Sequence, residues 1–169
     1  MKNLIVSYSY TGNNGLLTKT LSDLLKSDVF IVKEKRKRTK ITMFLDQLFD
    51  RKPKIEAYPG NLEAYDLIIF IAPLWFDTFA FPLRSFMTRY KENIKNYAFI
   101  SLCGYKGNKK FKSDLKKYTG REARAIAELP ITKLLPEGQL EAPGYQVKEE
   151  EMEKFSDSLE AFVASLIIS

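Results

Sequence analysis

Ser9, Thr11, Gly12, Asn13 and Asn14 stand together in the stretch SYSYTGNN at residues 7–14. Two hydroxyls can bond an oxyanion, and Gly12 lets the backbone come close to it. The stretch follows an apolar run at 4–6 and precedes the leucine-studded GLLTKTLSDLL, so it joins a strand to a helix. A helix start presents unbonded N–H groups and the positive end of the helix dipole, which suits a phosphate. No Lys or Arg lies within 7–14, so neutral dipoles alone would hold an anion there. The competing reading is a plain helix cap made by Thr11 or Asn13.

Other chemistries are narrowed by composition. The chain has no histidine and one cysteine, Cys103, so histidine catalysis, an internal disulfide and a Cys/His zinc site are excluded. Chemistry must use carboxylates, lysines, hydroxyls, the single thiol or a cofactor that carries the hard step. Cys103, at a strand end, reads as a small buried apolar residue rather than a redox thiol. With 169 residues, 45% apolar and 13% aromatic, the chain is expected to fold as one domain over 1–169. Its apolar runs are too short to span a bilayer or to serve as a leader, which leads to the expectation of a soluble, cytoplasmic protein.

The elements that must position the loop alternate strand and helix. Strands are expected at 4–8, 28–32, 67–72, 97–102 and, more weakly, 123–129. Helices are expected at 14–26, briefly around ITMFLDQLFD, after Pro82, around Phe111, Leu115 and Tyr118 with Gly120 as terminator, and at about 148–167. Five alternations imply a three-layer αβα sandwich with right-handed crossovers. Ligands in such sheets bind beyond the carboxyl ends of the strands, so the loops after the first, third and fourth strands are the expected site.

Within that frame, IVSYSYTGNN resembles the phosphate loop of flavodoxins, Ser/Thr-x-Thr-Gly-x-Thr, matched by Ser9, Tyr10, Thr11, Gly12 and Asn13, with Asn14 where the family has Thr or Ser. YDLIIFIAPLWFDTFAFPLRSF is similar to the flavodoxin-like stretch after the third strand, through Tyr65, Asp66, Pro73, Trp75, Pro82 and Phe86, with Ala72 at a commonly glycine position. The resemblance implies a five-stranded parallel sheet in the order 2-1-3-4-5 and FMN as cofactor. It places the phosphate at 9–14 and the flavin ring beside Pro73, Leu74, Trp75 and Phe76. Cys103, Gly104 and Tyr105 would face the pyrimidine edge, with Tyr105 the favoured second wall. Asp77 and Lys106 would pull the flavin potential in opposite directions.

The implied function is electron transfer to a redox partner protein, or reduction of a small acceptor such as a quinone with a nicotinamide donor, NAD(P)H. Flavodoxin carriers are usually acidic, whereas this chain has a net charge of +6, which moves weight toward the reductase. The alternative is a flavin-free module of the same fold that binds a protein or polyanion through its basic connector, and Asn14 keeps it open. The run Lys33, Lys35, Arg36, Lys37, Arg38 and Lys40 has no interleaved aromatic platform, so it reads as solvated surface rather than a specific nucleic-acid site. The connection at 132–146 is expected to border the pocket or a homodimer interface.

Overall fold

The computed structural model describes residues 1–36, 38–104, 107, 109–136, 139 and 144–167. The chain runs β1 (Asn3–Ser7), α1 (Asn13–Leu25), β2 (Asp28–Ile31), α2 (Lys40–Leu48), β3 (Leu67–Ile71), β4 (Leu74–Trp75), β5 (Thr78–Phe79), α3 (Phe81–Arg89), β6 (Tyr97–Cys103), α4 (Lys109–Thr119), β7 (Ile126–Pro130) and α5 (Ser156–Ser165). Five strands form a parallel sheet in the order β2-β1-β3-β6-β7. With the short β4–β5 hairpin set aside, this is the expected order, 2-1-3-4-5.

Near-continuous apolar runs make β1, β3 and β6 strands that are covered on both faces. Alternation then divides each strand between two cores. Leu4, Val6, Ile68, Phe70, Tyr97 and Phe99 face α3 and α4, where Leu83, Phe86, Phe111 and Leu115 meet them. Ile5, Ile69, Ile71, Ala98, Ile100 and Leu102 face α1 and α5, meeting Leu17, Leu21, Leu159 and Phe162. Each fully buried Leu, Ile or Phe contributes about 1.5–3 kcal/mol, so these two layers hold the sheet in register.

Several boundaries shift by one residue from the sequence reading, and three differences are larger. The fifth strand starts at Ile126, not residue 123. The last helix begins as a 3-10 stretch over Glu149–Phe155 and becomes α-helical only from Ser156. The loop after β3 is not irregular: β4 and β5 pair antiparallel, Leu74 with Phe79 and Trp75 with Thr78. Its two central residues, Phe76 and Asp77, have φ of 49° and 63°. A two-residue hairpin of this type I′ kind needs positive φ at both positions, and neither residue is the usual Gly or Asn, so no turn signature announced it. As expected, Gly120, at φ of 75°, ends α4 through its N–H to the Lys116 carbonyl (2.7 Å).

Candidate functional site

The loop after β1 is shaped by Gly12, whose φ of 101° sets the N-cap of α1. A Cβ at Gly12 would meet nothing within 4 Å, so conformation rather than space calls for glycine here. The Gly12 N–H donates to Ser9 Oγ (3.2 Å), closing the turn. The first intrahelical bond runs from the Leu16 N–H to the Gly12 carbonyl (3.0 Å), so the N–H groups of Asn13, Asn14 and Gly15 precede the helical ladder. Thr11 is exposed beside them.

The two asparagine side chains face inward. The Asn13 amide donates to the Tyr145 carbonyl (2.8 Å) and accepts from the Val147 N–H (2.9 Å). The Asn14 amide donates to the Leu102 carbonyl (2.9 Å) and accepts from the Leu102 N–H (3.0 Å). Strand alternation explains this second pair. Phe99 N–H bonds Ala125 on the β7 side, so Leu102, three residues on, turns its polar groups toward the β3 side. β3 pairs with β6 only as far as Ile71 opposite Ile100. The Asn14 amide therefore stands where the next peptide of β3 would have been. With both ends of its side-chain amide engaged, Asn14 leaves only its backbone N–H ahead of the helical ladder.

Trp75 lies beside this loop. The rings of Tyr8 and Tyr10 meet it edge-on, each with centroids 5.7 Å away, and Phe81 lies at 5.8 Å. Trp75 is half-buried, while Tyr10 and Phe76 are exposed. Phe76 stacks nearly parallel on Phe81 at 6.5 Å. The guanidinium of Arg38 sits 5.5 Å from the Trp75 ring centre and 5.7 Å from that of Phe81. Arg38 is thus buried among aromatics, at 3% side-chain exposure, and is not part of a solvated charge run.

That burial is sustained by pairing. Arg38 bonds both Glu34 oxygens (2.8 and 2.6 Å) and Asp46 Oδ2 (3.0 Å), while the Tyr8 hydroxyl donates to Glu34 Oε1 (2.9 Å). Desolvation works against the Arg38 charge, but the two carboxylates outweigh it and hold its pKa above the ordinary value. Burial, and then the Glu34 charge, push the Tyr8 phenol well above its usual range. Tyr8 therefore stays protonated at any working pH.

The third loop completes the rim. Cys103 is buried in the core as expected, and Gly104 is exposed with open space where a Cβ would stand. Gly107 lies so close to the hairpin that a Cβ there would come within 3.1 Å of Leu74 and 2.7 Å of Phe111. Its N–H donates to the Glu128 carboxylate. The expectations for Tyr105 and Lys106 fall outside the described residues.

Ser9, Tyr10, Thr11, Gly12 and Trp75 therefore share one edge, with Leu74 and Phe76 on the hairpin and Pro73 accepting from the Ala80 N–H at its base (3.0 Å). Cys103 and Gly104 follow the strand that Asn14 pins. Arg38 was missed by sequence reasoning, and its only trace was a glutamate four residues upstream. Of the connection at 132–146, Tyr145 lies against the loop, its carbonyl accepting from Asn13. Among the described residues, no group of three or more His, Cys, Asp or Glu is arranged to hold a metal, and no helix is long and apolar enough to cross a membrane.

No protein-family model matches the sequence, and no curated protein matches it either. Solved structures do match its fold. A flavoprotein in complex with FMN from Lactobacillus acidophilus superposes with a TM-score of 0.65 at 21% identity, over 79% of this chain and 95% of that one. A Bacteroides uniformis structure described as a flavoprotein gives 0.68 at 15% identity, over 92% and 97%. Oxidised flavodoxin 1 from Bacillus cereus gives 0.52 at 17% identity, over 97% and 98%. Parallel sheet, strand order and flanking helices agree with these structures: the fold of this chain is flavodoxin-like.

Proposed function

We propose that this protein binds FMN at the loops after β1, β3 and β6 and is a flavin redox protein. It would pass electrons to a protein partner or reduce a small acceptor such as a quinone with a nicotinamide donor. The observation that carries the reading is the loop at Ser9–Gly12. A left-handed Gly12 leaves the N–H groups of Asn13, Asn14 and Gly15 ahead of the helical ladder, with Trp75 and Tyr10 at the same edge. The solved relative that superposes at 21% identity is itself described in complex with FMN.

The donor set fits a phosphate monoester. Backbone N–H groups, the α1 dipole and the exposed Thr11 hydroxyl would hold it without a cation. Trp75 and Tyr10 offer aromatic surface for an isoalloxazine ring, and one aromatic pair adds about 0.5–1.5 kcal/mol beyond the area it buries. The bound flavin would supply the electron chemistry. Arg38, fixed against Trp75, keeps a positive charge near the ring position, although Glu34 and Asp46 offset it. The excess of basic residues favours a reductase over a carrier that docks on basic partners.

A second reading, a flavin-free interaction module, is favoured by one observation: Asn13 and Asn14 both direct their side chains to protein backbone, leaving the loop fewer side-chain donors. Absorption spectra and thermal melts with and without FMN separate the two. At FMN a hundredfold above Kd, linkage predicts about 2.7 kcal/mol of stabilisation, a rise in Tm of about 5–10 °C for a chain of this size. A colourless protein whose Tm ignores saturating FMN would defeat the flavin reading.

A further inference from the structure

Helix α2 carries its apolar side on the outside. Ile41, Phe44 and Leu48, spaced i, i+3 and i+7, share one face and are 72%, 60% and 61% exposed, and Phe49, which follows, is 59% exposed. No described α2 residue belongs to either hydrophobic core. A nine-residue helix without such packing is marginal by itself. Local bonds hold it instead. Thr39 and Thr42 form a reciprocal cap (3.2 and 2.9 Å), and Asp46 is tied to Arg38 (3.0 Å). Just past the helix, Asp50 is tied to Arg84 (3.0 Å) and accepts from the Tyr118 hydroxyl (3.0 Å). The helix is thus tied to the body through Asp46 and the adjoining Asp50, with Met43 and Leu45 half-buried and the bulky Ile41, Phe44 and Leu48 outward.

Charge surrounds this ridge on both sides. Residues 33–54 hold nine Lys and Arg against three Asp and Glu, an excess of six that equals the net charge of the entire chain, so the remainder is balanced. The three carboxylates are occupied: Glu34 and Asp46 by Arg38, and Asp50 by Arg84 and Lys117. Lys33, Lys35, Arg36, Arg51, Lys52 and Lys54 are exposed. A cavity of about 500 Å³ opens beside the helix, lined in part by Lys35, Arg36, Thr42 and Lys54.

We infer that α2 docks this protein on the surface of a membrane containing anionic phospholipid. Ile41, Phe44, Leu48 and Phe49 enter the boundary between headgroups and acyl chains, while the basic residues at both ends of the helix meet headgroup phosphates. An amphipathic helix with bulky apolar residues on one side and Lys and Arg about it is the arrangement that lies in this interface. A second copy is disfavoured as occupant, because a two-fold contact would set this patch against itself and oppose two excesses of like charge. An acidic protein partner would need an apolar groove shaped to these four side chains, whereas a bilayer needs none. The inference does not depend on flavin binding.

Vesicle co-sedimentation tests it, with pure phosphatidylcholine and an equimolar phosphatidylcholine–phosphatidylglycerol mixture, each with and without FMN. The protein is expected to sediment with the mixed vesicles, weakly or not at all with the neutral ones, and less as salt rises. Lys35→Gln with Arg36→Gln should weaken partitioning by about 30-fold, from ~1 kcal/mol per basic residue. Phe44→Asp should weaken it by at least about tenfold while leaving Tm unchanged, since that side chain packs in no core. Leu48→Ser gives the same readout if Phe44→Asp lowers Tm. Equal retention by both vesicles, retention by neither, or undiminished binding of folded Phe44→Asp and Leu48→Ser would overturn the inference. So would a concentration-dependent dimer abolished by Phe44→Asp in a protein that ignores vesicles. FMN binding is read separately from absorbance, so failure of one reading leaves the other measurable.

Discussion

Replacing Asn14 with Ala would strip the Leu102 N–H and carbonyl of the partners that continue the sheet ladder past the end of β3. Both groups are buried, with Leu102 at 1% and Asn14 at 3% exposure, so water cannot readily replace the amide. An orphaned buried polar group costs about 1–3 kcal/mol. The pair therefore costs about 2–6 kcal/mol, a large part of the 5–15 kcal/mol that holds a typical domain together. Thermal unfolding followed by circular dichroism should show Tm lowered by about 4–24 °C. FMN affinity of the folded variant should be unchanged, because the side chain does not reach the loop's outer face. Asn14→Asp supplies a control with its own signature. Its carboxylate would oppose the Leu102 carbonyl and only the protonated acid could donate, so the folded pKa is raised. That contribution is present below the unfolded pKa of about 3.9 and lost as pH rises through the folded value, so this variant gains stability on acidification. An Asn14→Ala protein that melts with the wild type, or that keeps its Tm and loses FMN, would refute the reasoning and make the amide a phosphate ligand.

Four further outcomes follow from the same contacts. Arg38→Met leaves Glu34 and Asp46 facing each other with little exposure, and breaking such a buried cluster should cost about 3–5 kcal/mol; partial recovery on mild acidification, seen in melts at several pH values, would confirm that the carboxylates are the cause. Trp75→Ala should weaken FMN binding by about two- to tenfold, one aromatic pair, and shift the reduction potential; unchanged values of both would leave Trp75 a packing residue for Tyr8, Tyr10 and Phe81. Asp77→Gly relieves a positive φ of 63° and should raise stability by about 1 kcal/mol or less, read as a higher midpoint in urea; a lower midpoint would show the hairpin is unstrained. Burial raises the Asp50 pKa, but Tyr118, Lys117 and Arg84 outweigh it and leave the value below its ordinary 3.8. Asp50 then adds stability above that pH which is lost as pH falls through the depressed value, so Asp50→Asn should flatten the acid limb of the stability profile, and an unaltered limb would contradict this pairing.

Much of the architecture was legible because it depends on local periodicity. Branched apolar runs at Leu67–Ile71 and Tyr97–Cys103 could only be doubly covered strands, and leucines spaced along Asn13–Leu25 could only be one face of a helix. The location of the candidate site followed from a topological rule, since loops at the carboxyl ends of neighbouring parallel strands must meet. The β4–β5 hairpin was not legible, because Phe76 and Asp77 take a backbone conformation their side chains disfavour. Arg38 was read as one more solvated cation, because a charge run does not reveal which member turns inward.

By itself the sequence determined the alternation of strands and helices, the single fold they allow and the presence of hydroxyls and glycine at the start of α1, since each is fixed by neighbours a few residues apart. Only the tertiary structure decided what Asn13 and Asn14 bond, because their partners lie 132 and 88 residues along the chain. It also decided that the apolar side of α2 faces away from both cores, because a periodic pattern shows that a helix has two sides without showing which one the protein covers.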